Sequence, residues 1–393
     1  MWLLLIVMAV QGTVSPEEAK SRTEMNPEQF MNVSEIIQYW GYPSEEYEVL
    51  TFDGYYLSLN RIPGGKRDEM GIYGSKAAVL MIHALIKEGS NWVENLPHNS
   101  LGFILADAGY DVWIGNHRGN SWSRRHEHFS IDQQEFWDFS FHEMGIYDLS
   151  AFIDFILQKT GQKDIYYVAH AEGSTIALFA FSVLPQLASK VKMLFALGPV
   201  YTHQYSTAPL LQLLRLPDIF LKIIFGTKEL SLLNPRLRAF VARICSWKLI
   251  DVLCKQALFL NSGFNQKNLN TSRVDVYTSR FPDYTSVKEI LHWGQLVKTG
   301  ETRYFDYGSE NIKKYNQTIP PMYRIEEITV PVAMWTGGQD WDTPPKEAER
   351  LRSRLKNVIH YKYLSDWNHW DFLWGLDAPQ RMYSEILGLM ENN

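Results

Sequence analysis

The segment Ile165-Tyr-Tyr-Val168-Ala169-His170-Ala171-Glu172-Gly173 runs from an apolar strand into a turn of small residues, and a helix is predicted at residues 173–183. A sharp turn between a strand and a helix needs small side chains around its apex, because the backbone there is tight and strained. Ala169 and Gly173 provide them on either side of Ala171. The segment therefore predicts one strand–turn–helix unit of a layered α/β protein.

Predicted strands and helices alternate before this segment. Residues 47–60 alternate apolar and polar side chains around an Asp-Gly pair, which is the strongest short-range signal for a β-hairpin. The continuous apolar run at 77–83 is typical of a buried parallel strand. Helices are predicted at 101–108 and 143–159, with a strand at 110–114 between them.

The alternation stops after one more predicted strand, at 192–197. From residue 201 to residue 324 the chain has apolar helical stretches, such as 208–224 and 235–260, and no clear strand pattern. We refer to residues 201–324 as the insertion. A helical segment of this length between two parts of an α/β pattern is expected to form a cap beside the sheet.

The strand and helix pattern returns after the insertion. It consists of a strand at 330–335, a helix at 346–355, a strand at 358–364 and a last helix from residue 379. We therefore expect an α/β fold with a mostly parallel central sheet and helices on both faces. Residues 20–200 and 325–393 would form its core, and the insertion would form a helical cap or lid.

The N-terminus carries an apolar run of about nine residues, Trp2–Val10, that ends in small and polar residues. This pattern is typical of a signal peptide at residues 1–19, with cleavage expected within about residues 12–19. The run is too short for a transmembrane helix, which needs about 20 apolar residues. A buried first helix is the alternative.

The charge pattern excludes some partners. The chain has 38 basic and 44 acidic residues and no basic block, so a nucleic-acid partner is not expected. No zinc-like cluster accompanies the two cysteines, and we expect no metal or other cofactor.

Three glycosylation sequons begin at Asn32, Asn270 and Asn316, and together they favour a secretory route. The two cysteines, Cys245 and Cys254, are nine positions apart. In a secreted chain they are expected to form a disulfide, and two buried thiols are the alternative.

The turn around Ala171 matches the position of the nucleophile in a G-x-S-x-G elbow, but alanine has no group that can attack a carbonyl. The other two members of a serine triad follow in the expected order. Asp340 comes after a predicted buried strand, and His369 follows about thirty residues later. Each alone could be an ordinary turn or surface residue; the order and spacing of all three favour a triad position.

An oxyanion hole needs two backbone N–H donors. One would come from Glu172, the residue after the nucleophile position, and the other from the loop His83-Ala84-Leu85. Ala84 stands where such loops usually carry glycine, and its Cβ restricts the backbone to negative φ.

Several segments resemble the acid lipases, the gastric and lysosomal enzymes, and the resemblance runs colinearly from about residue 28 to the C-terminus. They are Tyr39-Trp-Gly-Tyr-Pro43, Asn91-Trp92, Asn95-Leu-Pro97, Ala106-Asp-Ala-Gly-Tyr-Asp-Val-Trp113, Gly115-Asn-His-Arg-Gly-Asn120, Asn270-Thr-Ser-Arg-Val-Asp-Val-Tyr277 and Asn368-His-Trp-Asp-Phe372. The resemblance implies an α/β-hydrolase fold, secretion, and a helical cap with a lid over an acyl-binding cleft. It also implies a Cys245–Cys254 disulfide, oxyanion amides at Leu85 and Glu172, and an Asp340–His369 pair.

The positions at which this chain differs from the family's motifs lie at the catalytic centre. The family turn is Gly-His-Ser-Gln-Gly, from which this chain differs at three of five positions, and the family loop His-Gly-Leu is His83-Ala84-Leu85 here. The resemblance thus implies a family member that has lost catalysis. It would bind ester lipids, fatty acids or partner proteins through the inherited cleft, and the cap could contact a lipid–water interface.

The alternative is an active carboxylic-ester hydrolase that uses another group, such as Ser174 or water activated by His369. Ser174 lies about one helical turn beyond the elbow, where it should not reach His369. Glu172 has two interpretations: an acidic residue that favours the start of a helix, which we prefer, or an inward carboxylate that opposes an oxyanion.

Overall fold

The computed structural model describes residues 26–67 and 76–393. Its strands are β1 Glu45–Leu50, β2 Tyr55–Ile62, β3 Ala78–Ile82, β4 Asp111–Gly115, β5 Arg125–His126, β6 Ile165–His170, β7 Val191–Leu197, β8 Glu229–Leu230, β9 Thr285–Ser286, β10 Val332–Gly337 and β11 Val358–Leu364.

The main sheet has the strand order β1-β2-β4-β3-β6-β7-β10-β11, with β5 paired to β2. The hairpin β1–β2 is antiparallel, as its Asp-Gly turn predicts, and β2 pairs antiparallel with β4. From β4 to β11 all neighbours are parallel. The carboxyl ends of β6, β10 and β11 therefore lie at one edge of the sheet, where ligands bind in open α/β sheets.

The α-helices, numbered in chain order, are α1 Val33–Tyr39, α2 Leu101–Asp107, α3 Phe141–Glu143, α4 Leu149–Thr160, α5 Glu172–Val183, α6 Pro185–Ala188, α7 Asp218–Phe225, α8 Pro235–Cys245, α9 Lys248–Ser262, α10 Val274–Arg280, α11 Val287–Thr299, α12 Asn311–Tyr315, α13 Pro345–Arg354, α14 Asp371–Trp374 and α15 Ser384–Glu391. A π-helical segment, Met144–Asp148, joins α3 to α4, and a second one, Pro379–Tyr383, precedes α15.

Helices cover both faces of the sheet. In β3, Leu80 and Ile82 join a core cluster that includes α4, α5 and α13, whereas Val79 and Met81 face a second cluster that includes α1, α2 and α15. This alternation is the period of two that a strand imposes on its side chains. The expected α/β-hydrolase architecture, a mostly parallel sheet between two helical layers, is confirmed.

The insertion differs in detail from its sequence pattern. The stretch 208–224 is not one helix, because Pro217 separates the 3₁₀ turn Leu211–Arg215 from α7. The short strands β8 and β9 pair antiparallel, although the sequence showed no strand there. Two residues are too few for a periodic signal. The limits 201–324 of a cap domain stay a prediction.

The expected signal peptide falls outside the described residues. Within the two described ranges, none of the helices combines the length and the apolar character needed to cross a bilayer.

Candidate functional site

The turn between β6 and α5 keeps the backbone of a nucleophile elbow. Ala171 at its apex has φ +47° and ψ −118°, a conformation that costs energy for a residue with a Cβ. The turn is held by the Ala171 N–H, which donates to the Leu197 carbonyl at 2.9 Å. A Cβ on Gly173 would lie 2.7 Å from the carbonyl oxygen of His83, so only glycine fits there. The sequence has retained the strained turn although the side chain at its apex is a methyl group.

The other two triad positions meet beside this turn. Asp340 follows β10 and His369 follows β11; His369 Nδ1 lies 2.8 Å from Asp340 Oδ2. The Thr343 N–H donates to Asp340 Oδ1 at 2.7 Å, and the His369 N–H donates to the Ser262 carbonyl. Both side chains are buried. The pair therefore has the geometry in which a carboxylate orients a catalytic imidazole.

A second carboxylate lies on the other side of the imidazole. Asp342 Oδ2 is 3.4 Å from His369 Nε2, and Asp342 Oδ1 is 3.0 Å from His203 Nδ1. Burial opposes the charge on His369, but Asp340 and Asp342 outweigh burial and raise the pKa of His369 to about 9. Burial alone would raise the pKa of Asp342, but the two histidines lower it to about 2. The sequence analysis missed Asp342 and His203.

Glu172 is the first residue of α5, as the preferred interpretation expects, and its side chain is also buried. Its carboxylate accepts a hydrogen bond from the Trp293 indole, and it interacts with the buried carboxyl group of Glu289 on α11. Burial raises the pKa of Glu172; burial and the neighbouring Glu172 raise that of Glu289 well above its usual range. The pair therefore binds a proton more tightly than two exposed glutamates would.

The oxyanion loop keeps its backbone donors. Within the described chain, neither the Leu85 N–H nor the Glu172 N–H has a protein acceptor, so both are available to a ligand oxygen. The positive φ of the loop falls on Ile86 (+50°) and not on Ala84, whose Cβ is therefore tolerated. The Ile86 carbonyl accepts from the Asp283 N–H at 2.7 Å, which fixes the loop to the insertion.

Ser174 is buried, and its hydroxyl donates to the Ala169 carbonyl at 2.9 Å. It is therefore engaged with the end of β6.

The residues around the apex of the elbow line one small cavity of about 90 Å³. Its polar lining comes from Glu172, His203, Asp342 and His369, and its apolar lining includes Ala171 and Leu85. An apolar cavity of about 310 Å³ lies beside it within the insertion. Four residues line both cavities: Ile86, Leu210, Asn261 and Phe281.

Cys245 and Cys254 are bonded to each other and join α8 to α9. Both line the apolar cavity. The bond therefore braces the insertion and not the sheet.

Of the three sequon asparagines, Asn32 and Asn270 are half-buried and Asn316 is exposed. Asn32 accepts the capping hydrogen bond of α1 from the Glu35 N–H. The side-chain amide of Asn270 donates to Asn95 at 3.1 Å. Glycosylation at Asn32, Asn270 and Asn316 stays a prediction.

The described residues contain no group of three or more histidine, cysteine or acidic side chains arranged to hold a metal ion. The chemistry available at this site is that of buried charges, backbone donors and an apolar cavity.

The fold and the paired Asp340 and His369 define a protein of the α/β-hydrolase class. A family profile described as "alpha/beta hydrolase fold" matches residues 77–376, and one described as "partial alpha/beta-hydrolase lipase region" matches residues 33–96. A Sulfolobus solfataricus structure assigned as a lipase has a TM-score of 0.61 at 14% identity, covering 89% of this chain and 94% of that chain. A Thermogutta terrifontis esterase structure has a TM-score of 0.50 at 12% identity, covering 88% and 98%. These structures share the fold.

The sequence relatives are more specific. The chain is 50% identical to human lipase member M, covering 100% of this chain and 93% of that protein. It is 48% identical to human lysosomal acid lipase/cholesteryl ester hydrolase, covering 99% and 98%. It is 47% identical to mouse gastric triacylglycerol lipase, covering 99% of each. The chain therefore belongs to the acid lipase family.

Proposed function

We propose that this protein is a secreted, non-catalytic member of the acid lipase family that binds ester lipids or fatty acids in its cleft. One observation carries the proposal: a methyl side chain, that of Ala171, stands at the apex of the elbow. Removal of the nucleophilic serine of subtilisin, the standard example, lowers kcat by about 2 × 10⁶. A loss of that size leaves no useful lipase activity.

The contacts of the other candidate groups support the same proposal. The Ser174 hydroxyl donates to a carbonyl of its own turn. A general base must accept a proton, but His369 is flanked by two carboxylates and its pKa is raised to about 9. Water activation by His369 is therefore disfavoured at the pH of lysosomes and extracellular fluid.

The two adjoining cavities support lipid binding. An acyl chain would fill the apolar cavity in the insertion, because apolar burial stabilises it by about 0.8 kcal/mol per CH₂. The carbonyl or carboxylate end would reach the small polar cavity, where the amides of Leu85 and Glu172 can donate to its oxygen.

The outer face of α7 supports contact with a lipid–water interface. Ile219, Phe220, Ile223 and Ile224 are each more than half exposed, with Ile223 the most exposed at 71%. Contiguous apolar side chains on one helix are unusual at the surface of a monomer and typical of an interaction site.

The expected leader peptide and the sequons support a route through the secretory pathway. The relatives include proteins named as lysosomal and gastric lipases. We propose a secreted or lysosomal destination.

The test compares lipid binding in two variants that place the same large side chain at different positions. Ala257→Phe fills the apolar cavity, whereas Ala239→Phe adds a phenylalanine on an exposed position of α8. With fluorescent oleate and cholesteryl oleate as probes, we expect Ala257→Phe to weaken binding by about tenfold or more. Ala239→Phe should bind as the natural protein does. Equal binding by all three proteins would contradict a ligand site in this cavity.

A further inference from the structure

Four side chains near the elbow form a chain of alternating charge; three of them are buried, and that of Asp342 is 24% exposed. His203, Asp342, His369 and Asp340 follow one another with closest N–O distances of 3.0, 3.4 and 2.8 Å. The alanine at position 171 is sufficient to remove the nucleophile. It does not explain why a carboxylate lies beside Nε2 of His369.

In a serine triad, Nε2 carries a lone pair that takes the proton of the attacking hydroxyl. A carboxylate close to that nitrogen favours the protonated imidazolium, because opposite charges attract strongly at a buried site. A hydroxyl restored at position 171 would therefore meet an N–H donor instead of a base.

We propose that Asp342 is a second block on catalysis, independent of Ala171, because its carboxylate takes the position at Nε2 of His369 that a nucleophile needs. This inference rests on the proposed non-catalytic function and names the residue that maintains it. Asp342 is a positioning residue: it acts through His369.

The turn that carries Asp342 is held from several sides. The carbonyl of Trp341 accepts hydrogen bonds from the N–H groups of Thr207 and Ala208 and from the Ser206 hydroxyl, all in the insertion. His203, which has φ +56°, packs edge-on against Trp293 with ring centroids 4.7 Å apart. Asp342 is therefore kept beside His369 by the insertion as well as by its own strand end.

The remaining charged groups that face this chain do not cancel its effect. His170 is neutral, because burial lowers its pKa well below the usual range, and its Nε2–H donates to the His369 carbonyl. Lys87 lowers the pKa of His369, and Glu347 raises that of His203. Because the pKa of His369 is raised to about 9 and the pKa of Asp342 is lowered to about 2, we expect both groups to stay charged between these values. The ion pair therefore persists throughout the pH range in which acid lipases and their secreted relatives would be assayed.

The first test is an NMR titration of histidine-labelled protein, with the His369 signals assigned from His369→Gln. We expect His369 in the natural protein to stay protonated up to about pH 8, and Asp342→Asn to weaken its proton affinity by about tenfold or more. Asp132→Asn, which changes an exposed carboxylate, should leave the titration unchanged. A pKa of about 6.5 for His369 in the natural protein, the ordinary value for histidine, would overturn the proposal.

The second test measures ester hydrolysis against pH in Ala171→Ser, in Ala171→Ser/Asp342→Asn and in Ala171→Ser/Asp342→Glu. We expect Ala171→Ser and Ala171→Ser/Asp342→Glu to gain activity only as pH approaches about 9. Ala171→Ser/Asp342→Asn should gain activity at about pH 6.5, and its kcat at neutral pH should be about tenfold higher than that of Ala171→Ser or more. Identical pH profiles for all three would overturn the proposal.

Thermal unfolding identifies variants that do not fold, and an ordinary titration of His369 in the natural protein overturns the proposal whether or not the Asp342 variants fold. Turnover by the natural protein would instead refute the proposed non-catalytic function. The two failures are therefore distinguishable.

Discussion

The carboxyl groups of Glu172 and Glu289 face each other in the buried space between α5 and α11, close enough for each to change the proton affinity of the other. The Trp293 indole donates to Glu172, and the Thr285 hydroxyl donates to Glu289. The pKa values of both carboxyl groups are raised, so the folded state holds a proton more tightly than the unfolded chain does. The pair therefore stabilises the fold fully below the ordinary glutamate pKa of about 4.3, and this contribution is lost as pH rises through the raised values.

We predict that Glu289→Gln increases the free energy of unfolding at neutral pH by roughly 1–3 kcal/mol, the usual cost of a poorly compensated buried polar group. A glutamine can still donate to Glu172 and accept from Thr285, and it needs no proton from solvent. The gain should disappear near pH 4, where both forms are neutral. Urea unfolding across the pH range measures it, with Glu310→Gln as an exposed control. A gain that does not depend on pH would contradict the shared proton.

Ser174→Ala should lower the free energy of unfolding by about 1 kcal/mol, because a buried hydrogen bond to the Ala169 carbonyl is lost. It should not change the rate of ester hydrolysis, which we expect to be at background before and after the change. A fluorophosphonate probe should label neither protein. Ser182→Ala is the control, since that hydroxyl makes a similar bond to Phe179 on the same helix. Activity that vanishes only in Ser174→Ala would support the alternative hydrolase.

Free-thiol titration of the unfolded, unreduced protein should find no thiol. Replacement of both Cys245 and Cys254 by serine should lower stability by about 2–3 kcal/mol, the chain entropy of a short closed loop. Because both sulfur atoms line the apolar cavity, oleate binding should weaken as well. Two titratable thiols in the natural protein would refute the bond.

Glycan occupancy should differ among the three sequons. The amide nitrogen that would carry a glycan is already hydrogen-bonded in Asn270, to Asn95, whereas Asn32 is bonded through its oxygen. We expect higher occupancy at Asn32 and Asn316 than at Asn270. Glycopeptide mass spectrometry of protein secreted by mammalian cells measures this, and unglycosylated protein with an intact Met1 would contradict a secretory route.

The sequence predicted the fold well because periodic burial determines it. The hairpin around Asp53-Gly54, the apolar run of β3 and the elbow between β6 and α5 each have a strong local signal. The insertion was less predictable, since β8 and β9 are too short for periodicity and Pro217 divides an apolar stretch that otherwise resembles one helix.

Asp340 and His369 could be paired from their order in the chain alone. Asp342 could not be recognised, because it looks like a second turn residue two positions after Asp340, and neither could His203, which lies in the insertion. The position of Glu172 at a helix start was predictable, but its burial beside Glu289 was not, because that partner is more than a hundred residues away in the chain. Contacts across α5, α11 and the insertion depend on tertiary packing, and no local pattern encodes them.

The measurement that tests the central claim most directly is gel filtration of the purified protein with radiolabelled cholesteryl oleate, repeated between about pH 4 and pH 8 because acid–base catalysis depends on pH. Intact ester and free oleate are quantified in the protein peak. Human lysosomal acid lipase and His369→Ala are the controls. We predict that intact ester elutes with the protein and that no more oleate is released than by His369→Ala. Oleate that accumulates with time and is lost in His369→Ala would contradict a non-catalytic lipid-binding protein.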